Sequence, residues 1–332
     1  ASIRMHSDAA QRKPEDLYGG LLEPIAKADL AIVNLECVLG GDTPVPKDGP
    51  NLKGDPDSAK ALKAVGFDLA TLANNHMMDF CREGLQATLD ICHNAGLDTV
   101  GAGMDEAEAL QPAYKEVQGL RVGVLNLSDH EDGEADARNP GVADGFGYTV
   151  DRVIREMREN SDFCMFIAHG GKEYVPVPSL YWYEQLLQYA ESGADLVVAH
   201  HPHVPQGMTW ANFPGRAPVP VIFSTGNFVF RPAAPDGANM PVHTADGYLV
   251  EAAMAPHRVA GLKLIPYRIQ QEAGPRPLEN VEALEAFKQF IETLSAPLAD
   301  PDLVAEWFDV CCEWLWEHGY RVRVEGLTAK FC

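Results

Sequence analysis

Positive charge is what this sequence has least of. It carries 26 Lys and Arg against 48 Asp and Glu, a formal net charge of −22 over 332 residues. That balance argues against nucleic-acid binding and against polybasic contact with an anionic membrane, because both need clustered cations. Long apolar runs are also missing. The best, such as Cys164–Ala168, fall far short of the roughly 18 residues of a membrane span. No apolar stretch follows the opening Ala-Ser-Ile-Arg-Met-His, so these residues do not read as a secretion signal. The seven cysteines contain no C-x-x-C pair and read as small buried hydrophobes in a reduced compartment, which favours the cytoplasm. Neither an internal repeat nor a low-complexity linker interrupts the chain. What remains is an ordinary globular composition, 46% hydrophobic and 22% charged, with length enough for a large core. An anionic substrate would be repelled by such a protein unless a local positive centre held it.

Short apolar runs alternate with amphipathic stretches through the first two-thirds. Pro14–Ala28, residues 57–65, Glu83–Asn94, Asp151–Glu159 and Leu180–Glu191 read as helices, with Gly66, Gly96 and Gly193 as stop signals. Leu30–Leu35, Phe67–Leu72, a segment near Thr99, Arg121–Leu127, Phe163–Ala168 and Leu196–Ala199 read as strands. Residues 40–56 are rich in Gly, Pro and Asp and read as a loop. Val219–Ser224, Gly247–Ala253 and Val259–Ile269 then read as partly antiparallel strands, and helices over about 278–294 and 301–318 close the chain. The pattern predicts an α/β protein, two sheets with helices outside, in a single domain over 1–332. Its core is expected over about 14–270, with a helical extension over about 275–332.

Polar residues concentrate where the strands end, which is where α/β sheets place ligands. Asn34 and Glu36 follow one strand, and Asn74, Asn75, His76 and Asp79 another. His169, Lys172, Glu173 and Tyr174 follow a third, His200, His201 and His203 a fourth, and Asn227 a fifth. Singly, each has an ordinary structural reading: Asn74 and Asp79 as caps, His169 as a core histidine, Asn227 as a turn residue. Five clusters at five strand ends instead point to one polar site. In an extended segment His201 and His203 would share a face, as chelation needs. Imidazole, carboxylate and amide oxygen suit Mn, Zn or Fe, and such an ion would supply the missing positive centre.

The order N-L-E at Asn34–Glu36, A-N-N-H-x-x-D at Ala73–Asp79, H-G-G-x-E-Y at His169–Tyr174, H-H-P-H-V-P-Q-G at His200–Gly207 and S-T-G-N-F at Ser224–Phe228 resembles the capsule-biosynthesis protein A family. That family is linked to bacterial poly-γ-glutamate and belongs to the calcineurin-like metallophosphoesterase superfamily. The resemblance runs from about Leu17 to Ile269. It implies a four-layer α/β/β/α sandwich of the metallo-dependent phosphatase type, here followed by C-terminal helices. By the same resemblance Glu36 would bridge two metals, Asn75, His169 and His201 would bind the second, and His203 the first. His76 would protonate the leaving group or steady a phosphate. Two departures stand out. The family's opening strand ends in Gly-Asp, and that Asp binds the first metal; here only Ile3–Asp8 stands upstream of Pro14, with His6 and Asp8 as substitutes. Gly170 replaces the Trp that follows the fourth-motif His.

These residues support a metal-dependent hydrolase of a phosphoester or γ-glutamyl peptide, with Glu36, Asn75, His76 and His169 in catalysis. The expected cofactor is one or two divalent ions, Mn, Zn or Fe, or none if the first site is incomplete. Substrate contacts are expected from Asn34, Asn74, Glu173, Tyr174, Asn227, Lys53 and Lys172. Lys47 and Arg231 read as loop charges. A metal-independent peptide epimerase with a His/carboxylate pair is one alternative, and a non-catalytic accessory protein of poly-γ-glutamate synthesis is another. The expected partner is a small-molecule or peptide substrate. Tyr181, Trp182 and Tyr183 read as a core-facing helix surface, and Trp307, Trp314 and Trp316 as packing on the sandwich, which leaves room for a homodimer.

Overall fold

The computed structural model describes residues 2–3, 13–47, 49–129, 133–145, 148–229, 243–270 and 274–318. Two sheets carry most of the strands, and both run largely parallel. The first has the order β13-β1-β2-β3-β4: Asn227–Val229, Ser2–Ile3, Ile32–Leu35, Leu69–Thr71 and Asp98–Val100. The second has the order β11-β12-β10-β9-β7-β6: Met208–Ala211, Val219–Ile222, Leu196–His200, Phe163–His169, Leu120–Ser128 and Ala113–Val117. Its four central strands are parallel and its two edges antiparallel. A three-stranded antiparallel sheet is made of β14, β15 and β16, at Asp246–Ala255, Arg258–Gln270 and Gly274–Pro277. A short ribbon pairs β5, Ala102–Gly103, with β8, Gly141–Val142.

The helices are α1 Pro14–Tyr18, α2 Leu22–Lys27, α3 Ser58–Val65, α4 Cys81–Asn94, α5 Glu106–Ala109, α6 Tyr148–Glu159, α7 Leu180–Ser192, α8 Val281–Ser295 and α9 Pro301–His318. Among the described residues, no helix is long and apolar enough to cross a membrane. The fold is mixed α/β, as the alternation of strand and helix patterns predicts.

Strand alternation explains the packing. Every residue of β10 is buried, so it reads as one continuous apolar run. Leu196 and Val198 join a cluster with Leu69 and Val100 of the first sheet, while Val197 and Ala199 point the other way, toward Leu186 and Tyr189 of α7. In β2, Val33 and Leu35 face Leu21, Ile25 and Leu62 of α2, α3 and the turn before them. Apolar residues therefore fill three layers, one between the sheets and one under the helices on each outer face.

Local chemistry accounts for the departures from the sequence reading. Pro14–Ala28 is not one helix: α1 ends at Gly19, whose φ of 52° and ψ of −137° only glycine adopts readily, and a short 3-10 turn leads into α2. Strand β6 was not legible, because it is closed onto β7 by Gln118-Gly119, with φ of 49° and 81°. This is the two-residue turn with both central residues left-handed, but with Gln where Asn or Asp is the usual signal. Strands β1, β5, β8, β11, β13 and β16 also lie outside the predicted strands; each has five residues or fewer. The hairpin β14–β15 is longer than predicted and turns at Pro256-His257, with His257 at φ 54°.

Candidate functional site

Parallel strands bring their carboxyl ends to one side of each sheet, and the five polar clusters meet there. Most of their side chains are buried: Asn34, Glu36, Asn74, His76, Asp79, His169, His201, His203 and Asn227 each expose no more than 7% of their surface. Buried polar groups need partners, and the hydrogen bonds supply them.

Asn74 acts as a strut and not as a helix cap. Its amide donates to the Leu35 carbonyl at 2.9 Å and to Asn34 Oδ1 at 3.3 Å, while its Oδ1 accepts from the His76 N–H at 3.1 Å. The ends of β2 and β3 are thereby tied together. Asp79 caps nothing either. Its carboxylate accepts from the Leu52 N–H at 2.6 Å, faces His76 Nδ1 at 2.7 Å and pairs with Lys47 Nζ. Lys47 also reaches the Asn75 carbonyl and His76 Nδ1, each at 3.3 Å.

Two sets of ligand-type atoms converge beside this dyad. In the first, His169 Nε2 lies 3.1 Å from Asn75 Oδ1 and 3.2 Å from His201 Nδ1. Two donors on one tetrahedral zinc, each about 2.1 Å away, would sit roughly 3.4 Å apart. Burial holds His169 well below the usual imidazole range, against the opposing pull of Glu36, so its ring is the neutral, ligating form near neutral pH. In the second set, His203 Nε2 lies 3.7 Å from Glu36 Oε1 and 3.7 Å from Glu173 Oε1. Ligand atoms of Glu173, His201 and His203 all fall within 4.8 Å of one another. The Asn227 amide donates to the carbonyls of His203 and Thr244, both at 3.0 Å, which turns its Oδ1 to His203 Nδ1 at 2.8 Å. That acceptor fixes the proton on Nδ1 and aims the Nε2 lone pair at two carboxylates. Such a concentration of electron-rich atoms is stabilised by a cation, so the donor set fits a divalent metal.

His201 and His203 approach each other, with ring centroids 5.9 Å apart, but not by the extended geometry expected of H-x-H. Their φ values are 105° and 58°, left-handed backbone that is rare for such residues and concentrates at functional sites. Tyr174, at φ 65°, packs its ring 5.7 Å from that of His203. His200 points away from the cluster and faces Thr225 Oγ1 at 3.1 Å; burial lowers its basicity strongly.

One expected substrate contact, Lys53, is not brought together with these groups. Lys53 is committed to the Gly41 carbonyl and to Asp42, over the ring of Phe80, and Lys172 is exposed. The lysine delivered to the cluster is Lys47, which composition alone could not separate from a loop charge. Tyr248 and Tyr267 were also missed. Tyr248 donates to the Ser224 carbonyl at 2.8 Å and Tyr267 to the Asn227 carbonyl at 2.7 Å, and so hold the loop that carries Asn227. Of the aromatic run on α7, Trp182 and Tyr183 are core while Tyr181 is 48% exposed. Asp129, with Trp182 beside it, explains Gly170: a Cβ there would fall 2.3 Å from Asp129 Cβ and 3.0 Å from the indole. His6, Asp8 and Arg231, and the side chains of Trp314 and Trp316, lie outside the described residues; Trp307 is buried beside Val175, Val177 and Cys311.

The fold is similar to that of a hypothetical protein from Thermus thermophilus, with a TM-score of 0.51 at 15% identity over 80% of this chain and 97% of that one. A capsule biosynthesis protein CapA from Bacillus anthracis is 30% identical over 237 residues, 69% of this chain and 54% of that protein. The PGA biosynthesis protein CapA of Bacillus subtilis (strain 168) is 29% identical over 232 residues, 69% of this chain and 58% of that one. A probable polyglutamine synthesis accessory protein of Mycobacterium tuberculosis (strain ATCC 25618 / H37Rv) is 25% identical over 264 residues, 71% of this chain and 67% of that one. The chain thus spans little more than half the length of the two Bacillus relatives. Residues 2–232 match the model of the family described as bacterial capsule synthesis protein PGA_cap, and the chain belongs to that family.

Proposed function

We propose that the chain is a metal-dependent hydrolase serving capsule or polyglutamate synthesis, acting on a phosphoester or a γ-glutamyl peptide. The observation that carries this reading is the convergence of Asn75 Oδ1, His169 Nε2 and His201 Nδ1, with Glu36, Glu173 and His203 beside them. Asn75, His169, His201 and Glu36 would hold one ion, and His203 with Glu36 and Glu173 a second. A bound ion would polarise the scissile phosphoryl or carbonyl oxygen and lower the pKa of a coordinated water. The chain's own groups do the rest. Asp79 fixes the ring of His76, so that Nε2 can deliver a proton to the departing oxygen or nitrogen. Asn227 holds His203 in the ligating tautomer, and Asn74 fixes the loop that carries Asn75 and His76. Lys47 places the cation that an acidic protein otherwise lacks next to the dyad. Helices outside two facing sheets support the four-layer sandwich of the metallophosphoesterase type, with α8 and α9 as the helical extension.

Incubation with Mn²⁺, Zn²⁺ or Fe²⁺ and a panel of phosphoesters and γ-glutamyl peptides tests the reading. Metal-stimulated turnover, lost in His76→Ala and His201→Ala, is expected; no stimulated turnover of any member of the panel counts against it. The name of the mycobacterial relative favours a second reading, a non-catalytic accessory of polymer synthesis. On that reading the same variants would leave polymer synthesis in the native cell unchanged.

A further inference from the structure

Helix α8 lies outside residues 2–232, the part of the chain that matches the family model, yet it packs on the segments that carry His203 and Asn227. Phe287, Phe290, Leu294 and Ser295 stand at i, i+3, i+7 and i+8, one stripe of the helix. At its carboxyl end, Ser295 Oγ accepts from the Met208 N–H at 3.0 Å. Gly207 comes so close that a Cβ there would fall 2.6 Å from the Leu294 carbonyl carbon. Phe287 meets the ring of Tyr248 edge to face at 5.9 Å. The Tyr248 hydroxyl, which donates to the Ser224 carbonyl, also lies 3.1 Å from the Gln206 carbonyl. Phe290 stacks on His243, with ring centroids 4.5 Å apart and planes inclined by 28°. His243 opens a tight turn. Its backbone is left-handed at φ 71°, its Nδ1 faces Asp246 Oδ2 at 2.9 Å, and its carbonyl accepts from the Asp246 N–H at 3.1 Å. Thr244, the next residue, is buried, and its carbonyl is one of the two that fix the Asn227 amide.

We propose that α8 is a positioning element for His203. Through the Phe290–His243 stack it sets the Thr244 carbonyl, and through that carbonyl the orientation of the Asn227 amide. An Asn side chain has two orientations that exchange its oxygen and its NH2. With the His203 and Thr244 carbonyls both in place, the NH2 faces them and Oδ1 faces His203 Nδ1. Displacing the Thr244 carbonyl removes one of the two acceptors that enforce this choice. In the flipped amide a donor faces Nδ1, and the ring proton moves to Nε2, the nitrogen that faces Glu36 and Glu173. A protonated Nε2 cannot bind a metal. The inference deepens the proposed function, and its part concerning the ion rests on that reading.

The test uses the full chelator-treated chain, with the ring ¹⁵N shifts of His203 read at about pH 8, above the ordinary imidazole range. His243→Asn keeps a residue that tolerates left-handed backbone and can still bond Asp246, but it removes the ring. The His243 side chain is 25% exposed in a turn, so this variant breaks the stack while leaving the sequence of α8 intact. Phe290→Leu breaks the stack from the helix side, and Phe290→Tyr keeps it. Aromatic pairs contribute a factor of about two to ten. The ratio of Nδ1–H to Nε2–H at His203 should therefore fall at least about twofold in His243→Asn and Phe290→Leu, and match the parent in Phe290→Tyr, with folding checked by far-UV circular dichroism. An unchanged ratio in either folded ring-loss variant, or a fall in Phe290→Tyr as large as in Phe290→Leu, overturns the proposal. In calorimetric titration with Mn²⁺, both ring-loss variants should weaken by a similar factor the binding that His203→Ala loses; unchanged binding in both overturns the proposal as well. A parent chain that binds no Mn²⁺ counts against the proposed function alone, because the tautomer ratio is read without metal and then decides the role of α8.

Discussion

Asp79→Asn is the substitution that most sharply separates a positioned histidine from a merely packed one. The carboxylate is 1% exposed and serves three groups: the Leu52 N–H at 2.6 Å, His76 Nδ1 at 2.7 Å and Lys47 Nζ. Hydrogen bonds to a charged group contribute about 1.5–3 kcal/mol each. The amide keeps the shape and one acceptor oxygen, but its NH2 cannot accept from Lys47 or from a protonated Nδ1. Lys47 is 16% exposed and can lean toward water, which returns part of the loss. The net cost is therefore about 2–3 kcal/mol in urea unfolding. The introduced amide would also donate to Nδ1 and move the ring proton to Nε2, which ring ¹⁵N shifts of His76 report directly. With the proposed hydrolysis as readout, kcat should fall far more than KM changes. A cycle with Lys47→Met should show coupling of at least about 1 kcal/mol. A loss below about 0.5 kcal/mol with an unchanged tautomer would refute the positioning role of Asp79.

Three further outcomes follow from the same structure. Gly101→Ala should cost more than about 2 kcal/mol in thermal unfolding: φ is 95°, and the new Cβ would fall 2.2 Å from Asn126 Oδ1, which accepts from the Ala73 N–H at 2.7 Å. Burial pushes the thiols of Cys92 and Cys311 up to about 12, so both should resist alkylation at pH 8 in the folded chain and react on unfolding, as mass spectrometry of labelled peptides would show. For Asp246, burial raises the carboxyl pKa, but hydrogen bonds from His243 and Arg268 outweigh it and hold the group below its usual value. A depressed carboxylate stabilises fully above its unfolded pKa of about 3.9 and loses that contribution as pH falls through the folded value. The stability gap between the parent chain and Asp246→Asn should thus shrink as pH falls from about 5 to below about 4; a gap that widens over that range contradicts the assignment.

Much of the site was legible because its chemistry sits at strand ends. The runs before Asn34, His169 and His200 are continuous apolar strands separated by helices, the pattern of parallel pairing, which puts the polar residues that follow at one side of each sheet. Lys47 and Asp79 were harder. A lysine in a Pro/Gly-rich loop and an Asp ahead of a helix look like solvent charge and cap, and only the placement of Lys47 over the β3 loop brings them together at His76. The H-x-H spacing pointed to two rings that do approach each other, but not through an extended segment, since left-handed φ at His201 and His203 leaves no periodic trace in sequence. Strand β6 escaped for a related reason: its partner is set by the Gln118-Gly119 turn and not by its own alternation.

The central claim is that the His/Asn/carboxylate cluster holds a divalent metal, and calorimetric titration with Mn²⁺ and Zn²⁺ of chelator-treated protein tests it most directly. Parallel titrations of His169→Ala and His201→Ala, with far-UV circular dichroism to check folding, supply the controls. The prediction is one or two ions per chain, with affinity reduced at least about tenfold in both folded variants. Binding that is absent from the parent chain, or equally strong in all three proteins, would contradict it.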